Sequence, residues 1–294
     1  SRKFKRFIFR LMAIYDCFQY FNEDHVLDLR FNILDKDVDY FIVSESTKTH
    51  QGKEKKLNFN INRFKKFKHK IKYIVANYDK KINFYNHTGG ESLVEQHQRN
   101  ELSKGLVKAH DNDLIILSDS DEIPDLSKLN LIKKNTKFSA FSHTMFMYKI
   151  NLQNLDENNW IGSKMTLMKN FPAPHKLRSL KFKKYPFWRL DKIGLQIIKG
   201  GWHFSFLQSP LDIIKKIQSY SHGEFNTKEI VTYKNINDLA KKILKLTNSV
   251  VVVLSVKIVM WKVGVSFQRI ISLLTPRISI SPSSFVTNAA IMSP

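Results

Sequence analysis

The chain has 294 residues, 43% of them hydrophobic and 12% aromatic, enough to bury the core of one large domain, with or without an appendage, and too apolar for a disordered polymer. Its 48 Lys and Arg against 26 Asp and Glu leave a formal charge of +22, which favours polyanionic partners (nucleic acid, anionic lipid, phosphorylated small molecules) without choosing between them. The single cysteine, Cys17, excludes an intrachain disulfide and a cysteine-built zinc site and fits a reducing compartment.

The basic N-terminal stretch Arg2 to Arg10 has too short an apolar run to span a membrane, and no small-residue cleavage site follows it, so no secretory signal is read there. Ala13–Phe18 predicts a strand leading to a turn at Asp16. Asn22 is placed to cap a helix with Glu23 and Asp24 in its first turn, where carboxylates complement the positive helix end. Val26, Leu29, Ile33 and Leu34 then fall near one face of that helix. Tyr40–Val43 and Ile71–Val75 predict two more strands, rich in aromatic and β-branched residues. Glu91–His110, after the Gly89-Gly90 breaker, carries Leu102, Leu106 and Ala109 at helical spacing. Leu114–Leu117 is an apolar run bounded by polar residues, the pattern of a strand buried on both faces.

Strands alternating with helices predict an α/β fold with a mostly parallel central sheet flanked by helices. Ligands of such sheets sit beyond the carboxyl ends of the strands. The second half is less regular: Lys137–Met147 contains a strand, Asn151–Trp160 is turn-like, Phe171–Pro174 is a loop, and Gly200-Gly201 opens a short aromatic motif. Leu211–Tyr220 predicts a helix. After Asp238 no acidic residue occurs in the last 56 positions, and the Val-rich charge-free run between Lys245 and Lys257 is 11 residues, too short to cross a bilayer. Such a tail can lie on an anionic membrane surface or serve as a β-prone packing element.

Asp111 to Asp125 holds six carboxylates and no basic residue, an acidic island in a basic chain. Asp119 and Asp121, two apart past the end of the Leu114–Leu117 strand, can converge on a hard divalent cation such as Mg²⁺ or Mn²⁺. That cation would bridge a diphosphate and take up charge as it leaves. Ordinary turn chemistry also explains such a run, with Pro124 and Asp125 starting the next helix. Lys65-Lys66-Phe67-Lys68-His69-Lys70 is the best nucleic-acid patch, but no recognised binding motif surrounds it and no specific nucleic acid is expected.

Several stretches in order carry a resemblance: Ile14–Phe18 with Phe21-Asn22-Glu23, Val38–Phe41 with Glu45-Ser46 and Gly52-Lys53, Gln98-Arg99-Asn100, Ser118–Asp125, Gly200–Ser205, and Ser219–Phe225. Over roughly Ala13 to Lys245 the chain resembles glycosyltransferase family 17, the family containing the bisecting β-1,4-N-acetylglucosaminyltransferase of N-glycans. The resemblance implies a GT-A-like domain over residues 1–245, with 246–294 a divergent basic, apolar tail. It implies inverting transfer of a sugar, N-acetylglucosamine in that relative, from a UDP-sugar to a glycan or lipid-linked glycan acceptor. Asp119, Asp121 and His203 would be metal contacts with Mn²⁺ or Mg²⁺. Asp119 would also bind the donor together with Glu45, Ser46, Arg99 and Trp202. Inversion needs a general base, for which Glu157 and Glu224 are the candidates. Trp160 can stack on a sugar face or be buried. The relatives' Golgi anchor is not read at this N-terminus, so the expectation is a cytoplasmic enzyme, peripheral to a membrane. The alternatives are a basic nucleic-acid- or membrane-surface-binding protein, and an inactive glycan-binding relative of the same fold, the latter disfavoured by intact Asp119, Asp121 and His203.

Overall fold

A computed structural model describes residues 12–50, 52–78, 93–148, 150–154, 159–182, 194–207 and 209–219. Strand β1 (Ile14–Tyr20) leads to helix α1 (Asp24–Leu34), followed by β2 (Tyr40–Ser46), β3 (Ile71–Ala76), α2 (Leu93–Glu101), β4 (Leu114–Asp119) and the two-residue β5 (Glu122–Ile123). Then come β6 (Phe138–Met147), β7 (Trp160–Leu167), α3 (Pro174–Ser179), β8 (Leu195–Ser205) and α4 (Pro210–Ser219). One eight-stranded sheet runs in the order β3-β2-β1-β4-β7-β6-β8-β5. The β1–β2, β2–β3, β1–β4 and β6–β8 pairs are parallel, whereas β4–β7, β6–β7 and β5–β8 are antiparallel. This is the α/β arrangement, with a mostly parallel central sheet flanked by helices, that the sequence predicts.

Side-chain alternation sorts the core into two layers. Ile14 and Phe18 of β1, Phe41 and Val43 of β2, and Leu114 and Ile116 of β4 pack on the face covered by Val26, Leu27, Phe31 and Leu34 of α1. Tyr15, Cys17, Ile42, Ile115 and Leu117 point the other way, against Leu102, Leu106 and Leu177. Among the described residues, both faces of β1, β2 and β4 are covered by buried apolar side chains.

Several sequence expectations are refined or corrected. Asp16 is no turn residue: β1 runs through it to Tyr20, and it is fully buried because Arg30 of α1 meets it. The first helix starts at Asp24 with Glu23 at its cap and no side-chain cap bond. The Glu23 carboxylate instead accepts from the amides of Phe21 and Asn22 at 3.2 and 3.1 Å. The segment from Trp160 is strand β7, masked in the sequence by its buried polar residues Ser163, Lys164 and Thr166. The Gly200-Gly201 motif lies inside an eleven-residue strand, at a register shift between β6 and β8. The predicted helix from Glu91 is described from Leu93 and passes into a 3-10 turn at Leu102–Leu106. Glu157, Glu224 and the tail after Lys245 lie outside the described residues. Among those residues, no helix is long and apolar enough to cross a membrane.

Candidate active site

The acidic loop Asp119–Glu122 leaves the end of β4 and is held from below by its own backbone. Arg30 is fully buried and bidentate on Asp16, at 2.7 and 2.5 Å, and its remaining nitrogen donates to the carbonyls of Glu122 at 2.6 Å and Asp119 at 3.2 Å. A buried guanidinium with its charge matched and its donors filled is a rigid support. From the side, β8 pairs antiparallel with β5, setting Glu122 opposite His203 and Ile123 opposite Trp202. Gly201 makes this approach possible. It has φ +89°, and a Cβ there would fall 2.5 Å from the Ile123 carbonyl oxygen. The glycine pair thus admits a neighbouring loop rather than a ligand.

Glu122 is the anchor of the loop. It is fully buried and accepts from Arg178 at 2.9 Å on each oxygen, from the indole of Trp160 at 2.8 Å and from the Asp119 amide at 3.1 Å. Burial opposes its ionisation, but Arg178, with His203 and His143, brings the carboxyl down to about 2. Arg178 reaches in from α3 and also binds Asp119 at 2.5 Å. Lys164 of β7 donates to the carbonyls of Arg178 and Leu180, closing the end of α3. Arg99 adds a longer contact to Asp119, 3.8 Å, and pairs with Glu95 one helical turn back. Burial pushes the Asp119 carboxyl above its usual value against these cations. Because 34% of the side chain meets solvent, that push is softened.

Asp121 has different company. Its Oδ1 lies 3.6 Å from Nε2 of His203, and its Oδ2 3.3 Å from Nζ of Lys216 on α4. Burial would raise its carboxyl, but Lys216 and His203 hold it well below the usual range. Burial likewise disfavours a charged His203, and Asp121 overrides it and raises the imidazole. Trp160 packs on His203 with ring centroids 4.8 Å apart, so this tryptophan serves the site as a wall and as the donor to Glu122. His143 beneath accepts from the Ser163 amide on Nε2 and faces the Trp202 carbonyl through Nδ1, both at 3.1 Å. That pairing fixes the neutral tautomer, and burial lowers its pKa to about 4.

The residues present fit a divalent cation in one place. Asp121 offers an oxygen and His203, through the Nε2 that lies 3.6 Å from it, a nitrogen. No group of three or more His, Cys, Asp or Glu side chains is gathered for a metal among the described residues. Two protein donors completed by diphosphate oxygens and water are a usual arrangement for hard divalent ions.

The predicted site residues separate. Asp119, Asp121, His203 and Arg99 come together at the ends of β4 and β8. Glu45 is fully buried, and its carboxylate takes Lys55, the amides of Asn58 and Phe59, and the Tyr73 hydroxyl, at 2.6 to 3.0 Å. Ser46 bonds the Lys48 backbone and the Tyr78 hydroxyl. Both organise the loop after β2. Trp202 is half-buried against the core, and its carbonyl faces His143. Sequence reasoning missed Arg178, Lys216, Arg30 and the anchoring role of Glu122. Only Glu122, inside the acidic run, stood in a segment marked as a site.

The fold is an eight-stranded α/β sheet with acidic and cationic groups collected beyond the carboxyl ends of its strands, where ligands of such sheets bind. The chain belongs to glycosyltransferase family 17, whose model matches residues 5–278 and so runs on past Lys245. No curated protein matches. Similar solved structures include a protein assigned as a glucose-1-phosphate thymidylyltransferase from Bacillus anthracis, in complex with a sucrose. It is 12% identical, with a TM-score of 0.36 over 65% of this chain and 88% of that one. Two structures of glucosyl-3-phosphoglycerate synthase from Mycobacterium tuberculosis are also similar. The complex with Mn²⁺, UDP-glucose and glycerol 3-phosphate is 12% identical, with a TM-score of 0.33 over 71% of this chain and 76% of that one. The complex with Mn²⁺, UDP and phosphoglyceric acid is 15% identical, with a TM-score of 0.33 over 71% and 75%. The assignment rests on the family match and not on these likenesses.

Proposed function

We propose that this glycosyltransferase moves a sugar, N-acetylglucosamine, from a UDP donor to a hydroxyl of a glycan or lipid-linked glycan, with inversion and with Mn²⁺ or Mg²⁺. The observation that carries the reading is the Asp121–His203 pair, 3.6 Å apart at the carboxyl edge of the sheet. These two side chains would hold the cation, which when bound stabilises the departing diphosphate as a Lewis acid. Asp119 stays with Arg178 and Arg99 and lines the same pocket from the donor side. Arg99, on α2 above the ends of β1 and β2, supplies a guanidinium suited to phosphate oxygens. Trp160, packed at a tilt on His203, excludes water from one wall. Glu157 and Glu224 are the proposed general bases for the acceptor hydroxyl, and replacing the true base by Gln should lower kcat while leaving UDP binding intact. The test is UDP release from UDP-N-acetylglucosamine with and without Mn²⁺. Metal-dependent release that Asp121→Asn abolishes supports the reading, and release indifferent to both overturns it.

A further inference from the structure

The two cations that enter the acidic loop from outside the sheet are bound in different ways. The Arg178 guanidinium is locked by bonds to both oxygens of Glu122, to Asp119 and to the Gly162 carbonyl. The Lys216 ammonium contacts Oε1 of Glu23 at 3.1 Å and Oδ2 of Asp121 at 3.3 Å, and 14% of its side chain meets solvent. Glu23 belongs to the loop after β1 and Asp121 to the loop after β4, and both are buried. Lys216 therefore sits as a single positive charge between two buried carboxylates from separate loops. A divalent cation on Asp121 would meet it as a like charge. Lys216 is carried on α4, where Ile213 is buried and Leu211 is 58% exposed. A four-carbon stem can swing its charge to a new anion within reach.

We propose that Lys216 competes with the divalent cation for Asp121 and, when the cation takes its place, passes to the diphosphate of the nucleotide donor. The inference rests on the metal reading of Asp121 and His203 given above. It makes Lys216 a donor-binding residue whose two functions pull in opposite directions. Removal of its charge strengthens binding of the cation alone and weakens binding of the nucleotide, a pair of opposite shifts that a loss of packing does not produce.

The test is Mn²⁺ binding by electron paramagnetic resonance and UDP binding by calorimetry in saturating Mn²⁺, on the full chain and on Lys216→Met and Lys216→Arg. Lys216→Met should bind Mn²⁺ roughly tenfold more tightly and UDP roughly tenfold more weakly, each a shift of about one decade in Kd. Lys216→Arg, which keeps the charge, should not show the tighter Mn²⁺ binding of Lys216→Met. Circular dichroism establishes that each variant is folded. If the parent binds Mn²⁺ and Lys216→Met binds it no better, the competition is overturned while the metal site stands. If neither binds Mn²⁺, both readings fall together.

Discussion

The two sides of the acidic loop use the same residue types for opposite ends. On the Asp119–Glu122 side every carboxylate is tied to a guanidinium, and Arg30 holds the loop carbonyls from beneath. On the Asp121 side the partners are an imidazole and an ammonium at 3.6 and 3.3 Å, both able to change partner or protonation state. Bidentate arginine pairs fix geometry, whereas lysine and histidine contacts leave room for exchange. The two aspartates of the short Asp-x-Asp motif thus sit in different electrostatic settings, one paired with guanidinium groups and the other with an imidazole and an ammonium.

The comparison can be broken most severely from below. Arg30→Met should cost about 3–5 kcal/mol, because it leaves the Asp16 charge buried and unmatched; urea unfolding would measure it. A loss below 1 kcal/mol would show that the loop does not depend on this pillar. Next in size is acid sensitivity. His143 is kept neutral in the fold, with its pKa lowered from 6.5 to about 4, so the unfolded chain binds the proton first and stability falls as the pH drops below 6.5. Between pH 7.5 and 5 this contributes about 2 kcal/mol of destabilisation. Glu122, lowered from 4.5 to about 2, adds to the loss only below pH 4.5. His203, with its pKa raised, acts in the other direction: its contribution is complete below pH 6.5 and fades as the pH rises through its folded value. His143→Gln should flatten the slope between pH 7.5 and 5, and an unchanged slope would place the titration elsewhere. Gly201→Ala comes last, about 1–3 kcal/mol for a strained positive φ and a clash with the Ile123 carbonyl. Thermal melts of that variant would measure the cost of seating β8 against the loop.

The scaffold side explains what the sequence could and could not tell. Strands β1 to β4 were legible because Tyr40–Val43, Ile71–Val75 and Leu114–Leu117 are apolar runs between polar boundaries, and the acidic cluster falls at the end of one of them. β7 was illegible because its buried positions include Ser163, Lys164 and Thr166, and because Gly162 must be small where His143 lies 2.8 Å from its would-be Cβ. Glu45 sits at the carboxyl edge as read, yet its side chain points into the loop at 55–59, and strand alternation alone does not disclose that direction. Arg178 and Lys216 meet the motif from 59 and 95 positions away. Each carries a helical neighbourhood with no local mark of function, so only the tertiary arrangement brings them in.

The most direct measurement is Mn²⁺ affinity in the parent chain, Asp121→Asn and Asp119→Asn, followed by electron paramagnetic resonance with circular dichroism to confirm folding. The account predicts that Asp121→Asn loses detectable Mn²⁺ binding while Asp119→Asn stays within a few-fold of the parent. Loss of Mn²⁺ binding in Asp119→Asn with retention in Asp121→Asn would contradict it.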